Sequence, residues 1–246
     1  MLGILDWGIG AIGIYKRLKE RLRAFPVIYF SDTGQTPYGK MSHEELVARL
    51  NSIVFFLKAQ GLTHLVIGCN AASTAIPFLN SRGLNIEGVI ESAVIAAAKL
   101  KPERLGIIGG RRTVLSGVYR KAFADHGIKV KQRIAQPLSG LIESGDVSSD
   151  NLREECKRIL QPLRNCSHIL LACTHYPAIT NVVKEFVSPK TILIDPAEQL
   201  LEKISHWKFE AGGQDIFLTS GDAKAMKRSA MEAFACRIDE PIKVSF

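Results

Sequence analysis

Two eleven-residue stretches of this chain, THLVIGCNAAS from Thr63 and SHILLACTHYP from Ser167, align without gaps at an offset of 104 residues. In each, three apolar residues are followed by a small residue, a cysteine and a polar residue. A second pair, LGILDWGIGAIGIYKRLKE from Leu2 and LGIIGGRRTVLSGVYRKAF from Leu105, aligns with one residue inserted in the later copy. Short continuous apolar runs suit strands buried on both faces. Two copies make a duplication and not a solenoid, which needs three or more repeats. Strand candidates fall at Leu2–Leu5, Val27–Phe30, Leu65–Gly68, Leu105–Ile108, Ile169–Ala172 and Thr191–Ile194. Amphipathic stretches at Ala11–Arg23, His43–Gln60, Ser92–Leu100, Thr113–His126, Asp150–Arg164, Thr180–Phe186 and Gly221–Phe234 read as helices. Strands alternating with helices imply an α/β fold with mainly parallel sheets and flanking helices. The expectation is two pseudosymmetric domains with a cleft between them, split near Glu91–Ser92. Residues 1–92 and 198–246 would form the first, the C-terminal helices returning to it, and 93–197 the second.

Composition narrows the function classes. No uninterrupted apolar run approaches the roughly 20 residues that span a bilayer, so no membrane partner is expected. The start MLGILDWG has no basic n-region and no cleavage site, so no secretory signal is expected. Five cysteines, an odd number without dense spacing, fit free thiols in a reducing, cytoplasmic compartment better than a disulfide scaffold. The formal net charge is +8, and its densest piece is YKRLKERLR from Tyr15. Glu20 interrupts that stretch and no aromatic stacking platform accompanies it, so it reads as a helix with a basic solvent face rather than a nucleic-acid site.

Ligands of open α/β sheets bind outside the carboxyl ends of the strands. Cys69 and Cys173 each stand at such an end, at equivalent places in the two copies, and would face one cleft from opposite sides. Four readings apply to such a pair. Each could be a small buried hydrophobe. Zinc is disfavoured, because His175 is the one nearby histidine and no CxxC spacing occurs. A disulfide is disfavoured by the compartment. The fourth reading is paired acid–base catalysis, in which one thiolate removes a proton from a carbon and the other thiol protonates its opposite face. Such a thiol needs a neighbouring cation, hydrogen bonds or a helix start to work near neutral pH. Both cysteines precede candidate helices, His175 lies two residues beyond Cys173, and Asp6 and Asp32 stand at strand ends within reach. Cys156, Cys166 and Cys236 read as structural, as do His64 and His168.

These residues carry a resemblance. The chain resembles glutamate racemase, of the cofactor-independent aspartate/glutamate racemase superfamily, in GILDWGIG, YFSDTGQTPYG, VIGCNAAS, GVIES, LIESG, LACTHYP, LIDPAE and FLTSGD, which occur in family order from end to end. The resemblance implies that Cys69 and Cys173 are the acid–base thiols. Asp6 would assist Cys69, and His175 with Glu143 would assist Cys173. Substrate would meet Asp6, Trp7, Tyr38, Gly39, Asn70, Ala71, Thr174 and His175. No pyridoxal phosphate or metal would be needed. The substrate would be a small acidic amino acid, the product D-glutamate would serve peptidoglycan, and the protein would be a homodimer. Simpler roles exist for three of these acids: Asp6 as a helix cap, Asp32 as the organiser of an Asx turn, Glu143 as an exposed loop acid.

Three positions depart from the family pattern. Its Asp-Ser-Gly reads Asp6-Trp7-Gly8, its Cys-Asn-Thr-Ala reads Cys69-Asn70-Ala71-Ala72, and its Gly-Thr after the strand at Leu105 reads Gly109-Gly110. Each removes a hydroxyl, and a hydrogen bond lost from a buried charged group costs ~1.5–3 kcal/mol. Three readings stay open: a glutamate racemase, a racemase or epimerase for aspartate or another α-carbon acid, and a racemase-like binding or regulatory protein.

Overall fold

A computed structural model describes residues 1–21, 25–209 and 212–246. Its strands build two parallel sheets. The first joins β1 (Leu2–Asp6), β2 (Val27–Ser31), β3 (His64–Ile67) and β4 (Asn85–Gly88) to β9 (Ile216–Thr219) and β10 (Ile242–Lys243), in the order β10-β9-β2-β1-β3-β4. The second, in the order β6-β5-β7-β8, consists of β5 (Leu105–Gly109), β6 (Val130–Ile134), β7 (His168–Ala172) and β8 (Ile192–Ile194). The duplication is visible in the register. Leu2 pairs with Val27 and His64 in the first sheet, and Leu105 pairs with Val130 and His168 in the second. Each four-strand unit β2-β1-β3-β4 therefore has its counterpart in β6-β5-β7-β8.

The helices are α1 (Ile12–Arg21), α2 (His43–Ala59), α3 (Asn70–Ser73), α4 (Val89–Lys99), α5 (Arg111–Leu115), α6 (Val118–Asp125), α7 (Gln136–Glu143), α8 (Asp150–Leu160), α9 (Thr180–Glu185), α10 (Ala197–Ile204) and α11 (Ala223–Phe234). Among the described residues, no helix is long and apolar enough to cross a membrane. Short polar side chains start several of them. Ser42 accepts from Glu45 N–H while the Glu45 carboxylate accepts from Ser42 N–H, and Ser149 and Asp222 cap α8 and α11.

Several elements differ from the sequence expectation. The Thr113–His126 stretch divides into α5 and α6 because Gly117 takes a left-handed φ of 69° between them. Glu91–Ser92, the expected boundary, lies inside α4, which begins at Val89. The stretch Ala11–Arg23 forms α1 only over Ile12–Arg21, and residues 22–24 lie outside the described residues. β4, β6, β9 and β10 and helices α3, α7 and α10 were not expected. β4 and β6 are edge strands that keep only part of their side chains from water, and both residues of the edge strand β10 are exposed, so their sequences lack a continuous apolar run.

One buried apolar cluster runs from α1, α11 and one face of β1 and β2 into α7, α8, α9 and β7 of the second half, and so fastens the two sheets together. A second lies between the first sheet and α2, a third between the second sheet, α4 and α6. Burial on this scale, at ~25 cal/mol per Å² of apolar surface, is what holds the strand ends in register across the cleft.

Candidate active site

The carboxyl ends of the strands of both sheets meet at a small cavity of about 40 Å³. From the first sheet come Asp6, Trp7, Pro37, Tyr38, Gly39, Cys69, Asn70 and Ala71. From the second come Gly110, Thr113, Gln136, Ser139, Ala172, Cys173, Thr174 and His175. Both cysteines are free and partly exposed to this space, one from each side. Cys69 stands just past β3 as the residue before α3, and Cys173 directly follows β7.

Each thiol has its own partners. Asp6, fully buried at the end of β1, accepts the Trp7 N–H at 2.7 Å and the Thr174 hydroxyl at 2.8 Å, and its carboxyl lies beside the Cys69 thiol. Burial pushes the Asp6 carboxyl above the usual carboxylate range, against the pull of His175 and the Thr174 hydrogen bond. Burial, and then the negative charge of Asp6, push the Cys69 thiol well up. On the other side the His175 ring contacts Cys173 Sγ through Nδ1 at 3.7 Å and Glu143 Oε2 through Nε2 at 2.7 Å. Burial alone would discharge this imidazole, but its bonds to Cys173 and Glu143 prevail and hold it well above the ordinary histidine range. Glu143 is no loose acid: it ends α7, and its Oε2 also accepts the Ile9 N–H at 2.9 Å.

The turn after β1 can approach these groups only because it is bare. A Cβ on Gly10 would lie 2.5 Å from His175 Nδ1, 2.6 Å from Thr174 Oγ1 and 2.7 Å from Asp6 Oδ2. Trp7, the departure within that turn, is half-buried on the first sheet's cluster with its indole N–H donated to the Gln35 carbonyl at 3.1 Å. Its ring thus forms part of the first-sheet wall.

Among the other expected site residues, Gly39, Ala71 and Thr174 line the cavity, although the Thr174 hydroxyl proton is spent on Asp6. Asn70 receives a 2.5 Å hydrogen bond on Oδ1 from the Tyr119 hydroxyl of α6, while its buried Nδ2 has no partner among the described residues. Tyr38 lines the cavity but turns its hydroxyl away, to Asp32 at 2.8 Å. The structure gives Asp32, expected as a catalytic acid, a hydrogen-bond network of its own. It lies outside the cavity lining, and its carboxylate is consumed by the Arg49 fork at 2.6 and 2.9 Å, by Tyr38 and by Ser220 at 2.7 Å. Its geometry is that of an anchor for the Tyr38 segment.

Gln136 and Ser139, at the start of α7, were missed. Gln136 Oε1 accepts the Arg111 N–H at 3.0 Å and its amide donates to Ser139 at 3.0 Å. That oxygen lies 3.1 Å from where a Cβ on Gly110 would stand and 2.7 Å from one on Gly39, so Gln136 fills the space beside the bare Gly110. The register contained a signal for this: β6 is the counterpart of β2, so its end should contribute as the end of β2 does. Cys156 and Cys166 are buried away from the site, the Cys156 thiol pushed up to about 12 by burial. Among the described residues, no three His, Cys, Asp or Glu side chains group to hold a metal ion.

Two related parallel α/β halves present one thiol each to a shared cavity, with a carboxyl beside one and an imidazole–carboxylate pair beside the other, an arrangement suited to proton transfer from two sides. Residues 2–204 match the Asp/Glu/Hydantoin racemase family, and the chain belongs to that family. It is 30% identical over 253 residues to a glutamate racemase of Bacillus cereus, covering 97% of this chain and 94% of that protein. Its fold matches a glutamate racemase of Francisella tularensis solved in complex with D-glutamate, with a TM-score of 0.88, 24% identity and coverage of 99% and 97% of the two chains. It also matches glutamate racemase isoform RacE1 of Bacillus anthracis, with a TM-score of 0.87, 25% identity and coverage of 100% and 97%.

Proposed function

We propose that this chain is a glutamate racemase that interconverts L- and D-glutamate by proton transfer between two thiols. The observation that carries the reading is the opposition of Cys69 and Cys173 across one cavity, each with separate partners. In the reaction one sulfur, as thiolate, takes the α-proton: an S–H bond forms, the C–H bond breaks, and its electron pair is delocalised towards the substrate carboxylate. The opposite thiol then gives its proton to the other face, restoring C–H with inverted configuration. Asp6 receives or returns the proton of Cys69, and His175, oriented by Glu143, does so for Cys173. The unpartnered Nδ2 of Asn70 is a donor for a substrate carboxylate. Tyr38, Gly39 and Ala71 shape the first-sheet wall together with Trp7.

The bulk of Trp7 and the bareness of Ala71 and Gly110 favour keeping a second substrate in view, aspartate or another α-carbon acid. Solvent exchange at the α-carbon, followed by NMR in D₂O over a panel of L- and D-amino acids, separates these readings. Glutamate should exchange from both enantiomers. Exchange with a different acid alone would move the assignment, and none at all would leave a binding protein. Cys69→Ala and Cys173→Ala should each reduce turnover by about 10²–10⁴-fold or more, and parent-like turnover by either would refute the mechanism. We also take residues 1–92 with 198–246 and residues 93–197 as the two domains, a division supported by the separate sheets. A cytoplasmic location is supported by the five free thiols; assembly as a homodimer follows from the resemblance.

A further inference from the structure

The two halves are joined differently at the two sides of the cleft. On one side Ile9, Ile142 and Tyr176 belong to the buried cluster that runs through both halves. On the other, Tyr38 belongs to a separate cluster with α2, and a single side chain of α5 reaches it across the cleft. Arg112 donates from Nε to the Tyr38 carbonyl at 3.2 Å and from Nη2 to the Met41 carbonyl. The Pro37–Met41 stretch is closed by a 2.7 Å hydrogen bond from Lys40 N–H to the Pro37 carbonyl and is anchored below through Tyr38 to Asp32. It carries Tyr38 and Gly39 into the cavity wall.

Two further observations bear on this contact. The cavity of about 40 Å³ has room for a few waters, each of which needs about 10–15 Å³ of such space. An amino acid is several times larger, so it enters only if the walls part, and they part most readily where hydrogen bonds rather than shared apolar burial join them. In addition, no carboxylate among the described residues lies within 4.0 Å of the Arg112 guanidinium, which is half-buried and bonded to two neutral carbonyls. Its charge at the cleft rim is left free to act on an anionic ligand.

We propose that Arg112 is a positioning residue, a latch that holds Pro37–Met41 on α5 while the cleft is closed, over a bound anionic amino acid as in the free protein, and releases it when the cleft opens. This rests on the racemase reading. The latch sets the Tyr38–Gly39 backbone against the substrate and touches neither thiol, so its removal acts on binding more than on proton transfer.

The test compares the parent, Arg112→Ala and Arg112→Lys, with both glutamate enantiomers in steady-state kinetics and with hydrogen–deuterium exchange on the free proteins. Arg112→Ala should raise KM about tenfold or more in both directions, with a much smaller change in kcat and unmoved limbs of the kcat–pH profile. Arg112→Lys, which keeps the charge but not the fork, should recover part of the KM. Amide exchange at Gly39–Met41 should quicken in Arg112→Ala. An unchanged KM, or a kcat that falls as far as KM rises, overturns the latch. If Arg112→Ala does not fold, the lysine variant decides, and parent-like KM and exchange in it overturn the proposal. If the parent turns over no glutamate, the racemase reading fails separately, and the amide exchange then decides the latch: quickened supports it, unchanged overturns it.

Discussion

At the scale of single residues, the two thiols have unlike surroundings. Cys69 faces a buried acid that disfavours its thiolate, and Cys173 faces an imidazole whose bonds to Cys173 and Glu143 favour its charged form. This asymmetry has a stability signature. A histidine whose folded pKa is raised above the ordinary value of about 6.5 contributes stability that is complete below that pH and is lost as pH rises through the folded pKa. Glu143→Gln weakens the raising influence. The gap in Tm between parent and variant should therefore be largest at and below about pH 6.5 and shrink as pH rises through the raised folded value. A gap independent of pH would show that Glu143 does not act through His175. Cys69 and Cys173 were legible in the sequence because the duplication marks them twice. The surroundings of Asp32 were not legible, because its partners Arg49 and Ser220 lie 17 and 188 residues further on and nothing local shows that its oxygens are occupied. Trp7 was legible as a departure, but its orientation is set by the Gln35 carbonyl, a backbone group that no residue identity reveals.

Among the elements, the turn from β1 into α1 depends most closely on its sequence. Asp6 sits at its start and Gly10 near its end, and the missing side chain at Gly10 lets three polar groups of the site converge on the backbone. Gly10→Ala should reduce kcat by about tenfold or more through displaced geometry, while circular dichroism shows the fold kept. Parent-like kcat in that variant would mean that the site accommodates the methyl group and that the convergence is not needed. The interior strands β1, β2, β3, β5 and β7 were legible because burial on both faces demands apolar runs. β6, VKQRI, was not, because an edge strand alternates charged and apolar residues and leaves its side chains half-exposed. Losing β6 also lost Gln136 and Ser139, which its end delivers to the cavity.

For the whole molecule, function comes from doubling a half-site. One sheet alone offers a thiol at a strand end; two copies facing each other offer both faces of a carbon atom. The continuous apolar cluster keeps that opposition rigid on one side, and the Arg112 contact leaves the other side able to open. The fold class and the opposed thiols could be inferred from the repeat. The fastening could not, since it depends on pairs such as Asn70–Tyr119 and Ile9–Glu143 that lie 49 and 134 residues apart. The most direct measurement follows deuterium in D₂O. L-glutamate is converted for a small fraction of the reaction, and the α-carbon is then analysed in both product and recovered substrate. Two opposed thiols predict D-glutamate labelled with deuterium from the first turnovers while the remaining L-glutamate keeps its protium. Protium retained in the product, or label entering recovered substrate as fast as product forms, would contradict transfer between two separate groups.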